Sequence, residues 1–371
     1  MNFRKYINKR IISIMISFTV FISILNNLSI YANENIECID YSIEIERMYN
    51  SLIPKEADYY VDYIANPLLM SQECNDEYMI GEAFFIYVTD ENIQETMFYY
   101  PIYINNNIEY IITVYLVNGE WNAKIGKDFI ELLILSDYNE DNRAIFYQIE
   151  EYFFADNGNE LYSFNENVDC SDFSFCDISI KDKIYIIENE YIHQERKDIV
   201  LCEEGTGFST NTTYEKKLNM SGRLVGQGSD NICWAASVAT TLRYLTNSYA
   251  YTARSVCDKI GHAYDEAGIY EKQKALKAYG INYSVLLDSQ ITFERVINNI
   301  VNQYPILAST FSSNSGHSIT IVGYKNYGGI KMITFHNPGS NELETVIYNS
   351  SGTTYSYNNK TFTWKYTLCY L

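Results

Sequence analysis

The sequence predicts an α+β chain in two parts: a mostly antiparallel β module, then a domain of helices packed on a C-terminal antiparallel sheet. Three observations carry this. Short β-rich runs parted by hairpin turn signals begin at Gly81. Three helical patterns followed by five strand-like runs come after Lys217. The charge also changes abruptly near residue 205. Residues 33–205 hold about 37 acidic and 9 basic side chains, whereas 206–371 hold about 10 and 14. We therefore divide the chain into 1–32, 33–205 and 206–371.

Residues 1–32 read as a secretory signal peptide. Arg4, Lys5, Lys9 and Arg10 form a positive start, Ile11 to Leu25 is apolar, and Ala32 suits a cleavage site. The expected product is extracellular, with no membrane contact after cleavage. Abundant Tyr, Asn and Ile with only 5 Pro point to an AT-rich bacterial source. The net charge of −20 argues against nucleic acid as a partner. The eight cysteines fit no zinc spacing, and no metal or organic cofactor is implied.

In the first part, Tyr41, Ile45, Met48 and Leu52 share a helical face. From Gly81 the runs "EAFFIYV", "MFYYPIYI", "IEYIITVYLV" and "EWNAKIG" read as a meander around a helix, turned at "INNNI" and "VNGEW". "IFYQIEEYFF", "ELYSF" and "KIYIIEN" extend it as strands. No catalytic constellation appears here, and His193 reads as a surface residue. The polar stretch between Glu203 and Lys217 reads as an exposed linker.

In the second part, "CWAASVATTLRYL", "YEKQKALKAYGI" and "TFERVINNIVNQYP" are helical. Ser229, Asp230 and Asn231 are N-cap candidates for the first. "PILASTF", "HSITIVGYKN", "IKMITFHNP", "ETVIYNSS" and "TFTWKYTLCYL" are strands, with turns at "NYGG", "NPGSN" and "SSGTT".

Catalytic residue types gather in this second part. Cys233 stands in the first turn of a helix, where the positive helix end and free backbone N–H groups favour a thiolate. Such a nucleophile needs a His to form an ion pair and to protonate the leaving amine. His317 opens a strand after a small-residue loop and can face a cleft. His262 reads as a surface residue. His336 alternates with Asn337, so the two point to opposite faces. Hairpin pairing can set Asn337 beside His317 as its orienting acceptor, although Asn-Pro-Gly is also a common turn. Gln227, six residues before Cys233, can fold its amide toward the thiol and join the Cys233 N–H as an oxyanion donor. Trp234 would pack the cleft wall.

Gln227, Cys233-Trp234-Ala235, "GHSITIVGY" around His317 and then Asn337 resemble the papain superfamily of cysteine proteases. The interval of 84 residues from Cys233 to His317 is similar to the compact bacterial forms: staphopains, streptopain and the peptidase domains of bacteriocin exporters. The resemblance implies a papain-like domain over Lys217 to Leu371, with Cys233 as nucleophile, His317 as acid/base, Asn337 as orienter and Gln227 as oxyanion donor. The superfamily usually has a Trp soon after the Asn; Pro338 and Gly339 stand here instead.

The expected activity is hydrolysis of peptide bonds in protein or peptide substrates by a secreted zymogen. Residues 33–205 would be its propeptide and intramolecular inhibitor, held partly by opposite charge. The other classes in view are a transglutaminase-like enzyme or cell-wall amidase, and an inactive secreted binding protein.

Overall fold

The computed structural model describes residues 41–192 and 213–371, except 73, 75, 90–96, 118, 140–141, 151, 165–172 and 174. The signal peptide, His193, Cys38, Cys170, Cys202 and most of the linker lie outside the described residues. The N-terminal part runs α1 (Tyr41–Leu52), α2 (Lys55–Ser71), β1 (Tyr78–Ile80), β2 (Ile86–Val88), β3 (Met97–Ile104), β4 (Asn107–Val117), β5 (Glu120–Gly126), α3 (Ile130–Leu135), β6 (Ile145–Ile149), β7 (Tyr152–Asp156), β8 (Leu161–Ser163) and α4 (Ile180–Ile192). The C-terminal part runs β9 (Tyr214–Lys217), α5 (Cys233–Thr246), α6 (Ala253–Ile260), α7 (Ile269–Ala278), β10 (Val285–Leu287), α8 (Phe293–Val301), β11 (Ile306–Phe311), β12 (Gly316–Tyr327), β13 (Ile330–Asn337), β14 (Glu342–Ile347), β15 (Thr354–Tyr357) and β16 (Lys360–Cys369).

The fold is α+β with a large antiparallel sheet, in the order β1-β3-β4-β5-β14-β13-β12-β11-β16-β10. The turns follow the sequence signals. Asn105-Asn106, Gly328-Gly329 and Asn358-Asn359 are two-residue loops with positive φ at both positions, as tight hairpins require.

Two expectations for the N-terminal part need correction. Its strands do not form one meander: β2, β6, β7 and β8 form a second sheet, with β2 and β6 parallel. "KIYIIEN" is not a strand but lies in α4. Ile180, Ile184 and Ile187 are buried at helical spacing, and buried Lys183 reaches Asp156 at 2.5 Å. Its alternating apolar run looks like a strand; burial of one helical face against the aromatic core decides otherwise.

The two parts share the large sheet. β5 pairs with β14, with Ile125 opposite Thr345 and Lys124 opposite Val346. Met332 of β13 is buried in the N-terminal core. Gln72 Nε2 donates to Thr345 Oγ1 (2.9 Å), Tyr115 Oη to Thr354 O (2.8 Å) and Lys325 Nζ to Met70 O (2.9 Å). Among the described residues one ion pair crosses the junction, Lys124 with Glu344 at 3.0 Å. Its base belongs to the acidic part and its acid to the other, the reverse of what net charge alone would arrange.

Candidate active site

Why α5 brings its first residue to a sheet edge is visible in its composition. Trp234 to Leu242 are all buried, and most are small. Small side chains allow close approach, and two hydrogen bonds lock the contact. Thr320 Oγ1 donates to Ser237 O (3.2 Å), and Ser318 Oγ donates to Ser237 Oγ (3.0 Å). Cys233 therefore lies against the start of β12, where the backbone N–H of Ser318 and the His317 ring both meet its sulfur.

The proposed N-caps are corrected. The N-cap position is Ile232, and no side chain caps α5. Asp230 instead pairs with Arg254 at 2.8 Å. No capping side chain then competes for the first-turn N–H groups beside the thiol.

β12 and β13 settle the histidines. Thr320 faces His336 and Ile321 faces Phe335, so one more step sets Ile319 opposite Asn337. His317 is the next residue on that face, a diagonal neighbour of Asn337. Its Nε2 lies 2.8 Å from Asn337 Oδ1, which leaves Nδ1 for Cys233. His336 lies on the other face, between Thr240 Oγ1 (3.3 Å) and Asn341 Oδ1 (3.2 Å). Burial pushes it down to about 4, so it is a neutral core residue. His262 sits partly exposed at the edge of the Trp234 ring, 5.1 Å between centroids, and near Asp265 (3.2 Å). Trp234 is fully buried and donates Nε1–H to Asp265 O (2.9 Å), so it fixes this loop to the helix start.

The electrostatics of the pair are reciprocal. Burial alone would push the Cys233 thiol up. The His317 hydrogen bond and charge, Lys272 and the Ser318 N–H outweigh it and hold the thiol below its usual value. Burial alone would push His317 down, yet Cys233, Asn337 and Glu344 raise it. The arrangement favours a thiolate–imidazolium pair.

Asn337 is both turn and partner. Its Oδ1 also accepts from the Gly339 N–H (3.0 Å), and its Nδ2 donates to Glu344 Oε1 (2.8 Å). The missing Trp has a substitute that sequence reading did not find: Tyr357 stacks on the His317 ring, 5.1 Å between centroids and 19° between planes. Position 339 must be glycine for this, because a Cβ there would lie 2.1 Å from the Tyr357 hydroxyl.

Gln227 is brought to the same turn by its backbone: its N–H donates to Pro338 O (3.0 Å), and Gly228 follows with φ +66°. Its buried Oε1 has no hydrogen-bond partner in the protein. The residue is held at its backbone and not at its amide, and it makes no hydrogen bond to Cys233 or His317.

Lys272 was also not anticipated, because "YEKQKALK" reads as a solvated helix face. It is 1% exposed and donates to Ala308 O (3.1 Å) and Ser309 Oγ (2.7 Å). Ser309 pairs with Ser318, the residue whose N–H meets the thiol. Burial pushes Lys272 down to about 7, against the attraction of Cys233.

A buried thiol–imidazole–amide line at a helix start is the arrangement expected for acyl transfer. Residues 210–368 match the Peptidase_C39 like family. The family belongs to the papain-like cysteine peptidases, and the match supports the resemblance read from Gln227, Cys233 and His317. At family level this part is a cysteine-type peptidase. The match contains the cysteine, both β12 and β13, and the Gln227 loop; it does not extend into the acidic part. A search of curated proteins gives no match. Among the described residues of the peptidase part, Cys257 and Cys369 are free and buried, and neither lies in the thiol–imidazole line.

Proposed function

We propose that the chain is a secreted cysteine endopeptidase made as a zymogen, with residues 1–32 as signal peptide, 33–205 as propeptide and 206–371 as the peptidase. The carrying observation is the continuous line from the Cys233 thiol through His317 to Asn337. The Cys233 thiolate attacks a peptide carbonyl. The developing oxyanion takes hydrogen bonds from the Cys233 N–H and the Gln227 side-chain amide. His317, already protonated, gives its proton to the departing amine and a thioester forms. Water, deprotonated by His317, then attacks the thioester and frees the carboxylic acid and the thiol. Asn337 holds the imidazole with Nδ1 toward the sulfur throughout.

The propeptide reading is supported by position. A cleft of about 1090 Å³ beside the Gln227 loop is lined by Gly228, Ser229 and Gly339 on one side and by Lys127, Phe129 and Phe153 on the other. The acidic part thus stands over one approach to the site. The test is to express the full chain and Cys233→Ala in parallel. Peptide hydrolysis, with chain cleavage between Glu203 and Lys217, should appear in the first and be absent in the second. Equal hydrolysis in both contradicts the proposal.

A further inference from the structure

We propose that Lys124, supplied by the N-terminal part, is a positioning residue for the peptidase site: through Glu344 it fixes the orientation of the Asn337 amide that holds His317. The inference rests on the reading of Cys233, His317 and Asn337 as the catalytic groups. It concerns a contact that lies wholly behind them.

The geometry is a chain of direct contacts. Lys124 Nζ lies 3.0 Å from Glu344 Oε2, and the ammonium also contacts Asp128. Glu344 Oε1 accepts from Asn337 Nδ2 (2.8 Å) and Ser340 Oγ (3.0 Å). Asn337 Oδ1 faces His317 Nε2 at 2.8 Å. Lys124 is 2% exposed at its side chain, and Glu344 is fully buried.

An asparagine amide has two distinguishable ends and two possible orientations. In the productive one, Oδ1 accepts from the imidazolium. In the flipped one, an NH₂ group opposes it. An ionised carboxylate can only accept hydrogen bonds, so it selects the NH₂ end of Asn337 and leaves Oδ1 for His317. A protonated carboxyl can donate, and the selection is lost. A buried carboxylate without a counter-ion takes up a proton. Burial does raise Glu344, and Lys124 is the first group acting against it. The other groups facing Glu344 are Asp128 beside Lys124, Tyr357 from β15 and His317 from β12. Lys124 is the base among them that is not part of the reacting pair. The base arrives on β5, whose pairing with β14 fixes its reach. The N-terminal part is then more than a cover: it completes the orientation of the site while docked, and its departure exposes Glu344 to solvent.

The test uses the full chain and the ultraviolet absorbance of the thiolate, taken as a difference against the same protein carrying Cys233→Ser. The absorbance is followed across pH for the otherwise unaltered chain, Lys124→Met, Lys124→Arg and Glu344→Gln. The unaltered chain should form the Cys233 thiolate below the ordinary thiol range. Lys124→Met should move that midpoint upward by about one unit, a tenfold loss of thiolate on the acid limb. Lys124→Arg should restore it, because the charge returns. A role confined to holding the junction together would lower stability without moving the midpoint. A folded Lys124→Met with an unmoved midpoint overturns the inference. Should that variant fail to fold, Glu344→Gln, which keeps the volume, carries the same test, and an unmoved midpoint there overturns it equally. If the unaltered chain itself shows no Cys233 thiolate below the ordinary range, the catalytic reading fails first, on a measurement that does not involve Lys124.

Discussion

The two parts of the chain treat buried charge differently. In the N-terminal part each buried base closes on a nearby acid among aromatic rings. Lys183 reaches Asp156 and lies over the Tyr147 and Phe175 rings; Arg143 contacts Glu82 and lies over Tyr138. These are scaffold contacts. In the C-terminal part the buried groups converge instead. Lys272, His317 and Glu344 are within electrostatic reach of Cys233 or of its partner. Locally satisfied charges stabilise a shape. Charges that hold one another in unusual protonation states mark a place where protons and electron pairs can move.

Replacing the reacting groups should produce the largest effect. Cys233→Ala or His317→Ala should each lower kcat/KM by about 10⁴–10⁶-fold, and the double variant should be little worse. Near-ultraviolet circular dichroism should show both folded. His262→Ala, which removes an imidazole outside the line, should leave kinetics nearly unchanged, and an equal loss there would erase the distinction drawn between the histidines.

The supporting groups come next. Gln227→Ala should cost about 10²–10³ in kcat if its amide serves the oxyanion. Asn337→Ala should be milder than His317→Ala, since Tyr357 still stacks on the ring. Steady-state kinetics on one peptide substrate ranks the three. Loss confined to KM for Gln227→Ala would make it a binding residue.

Lys272 sharpens the comparison further. Lys272→Met removes a positive charge near the thiol, so the Cys233 midpoint should rise by about one unit or less. In the unaltered protein Lys272 itself changes charge around pH 7, so its contribution fades as pH rises through that value. A matched substitution at Lys183 should leave Cys233 reactivity where it was. Alkylation rates across pH measure both.

Salt should have the smallest effect. The junction is built from strand pairing, neutral hydrogen bonds and a buried pair of reversed polarity, and buried pairs are screened little. Docking of the acidic part should therefore change little between low and physiological salt. A strong salt dependence would restore net charge as the force that holds it.

Much of this was legible in the sequence, for local reasons. The hairpins followed from Asn-Asn and Gly-Gly turns, and α5 followed from its small apolar run after a glycine loop. Alternation along β13 separated His336 from Asn337 before any coordinates. α6 escaped because it is short and its capping box pairs Thr252 with Ser255, without the usual acid or amide. α2 carries an internal Pro67, which hides a helix. Glu344, Tyr357, Lys272 and Lys124 escaped for a different reason. Each reaches the site by pairing or packing between distant segments, and nothing near them in sequence names their partner.

The central claim is that Cys233 and His317 form a thiolate–imidazolium pair, and the His317 ring reports it most directly. Nuclear magnetic resonance of the imidazole across pH, in the full chain and in Cys233→Ala, measures its midpoint. Cys233 raises His317 above 6.5 while burial pulls it down. The pair is therefore present above the lowered thiol midpoint and is lost as pH rises through the raised imidazole midpoint. Because the two groups titrate together, those midpoints belong to the pair. The account predicts a midpoint above the ordinary value in the unaltered chain and a clear fall in Cys233→Ala. The same midpoint in both proteins would contradict it.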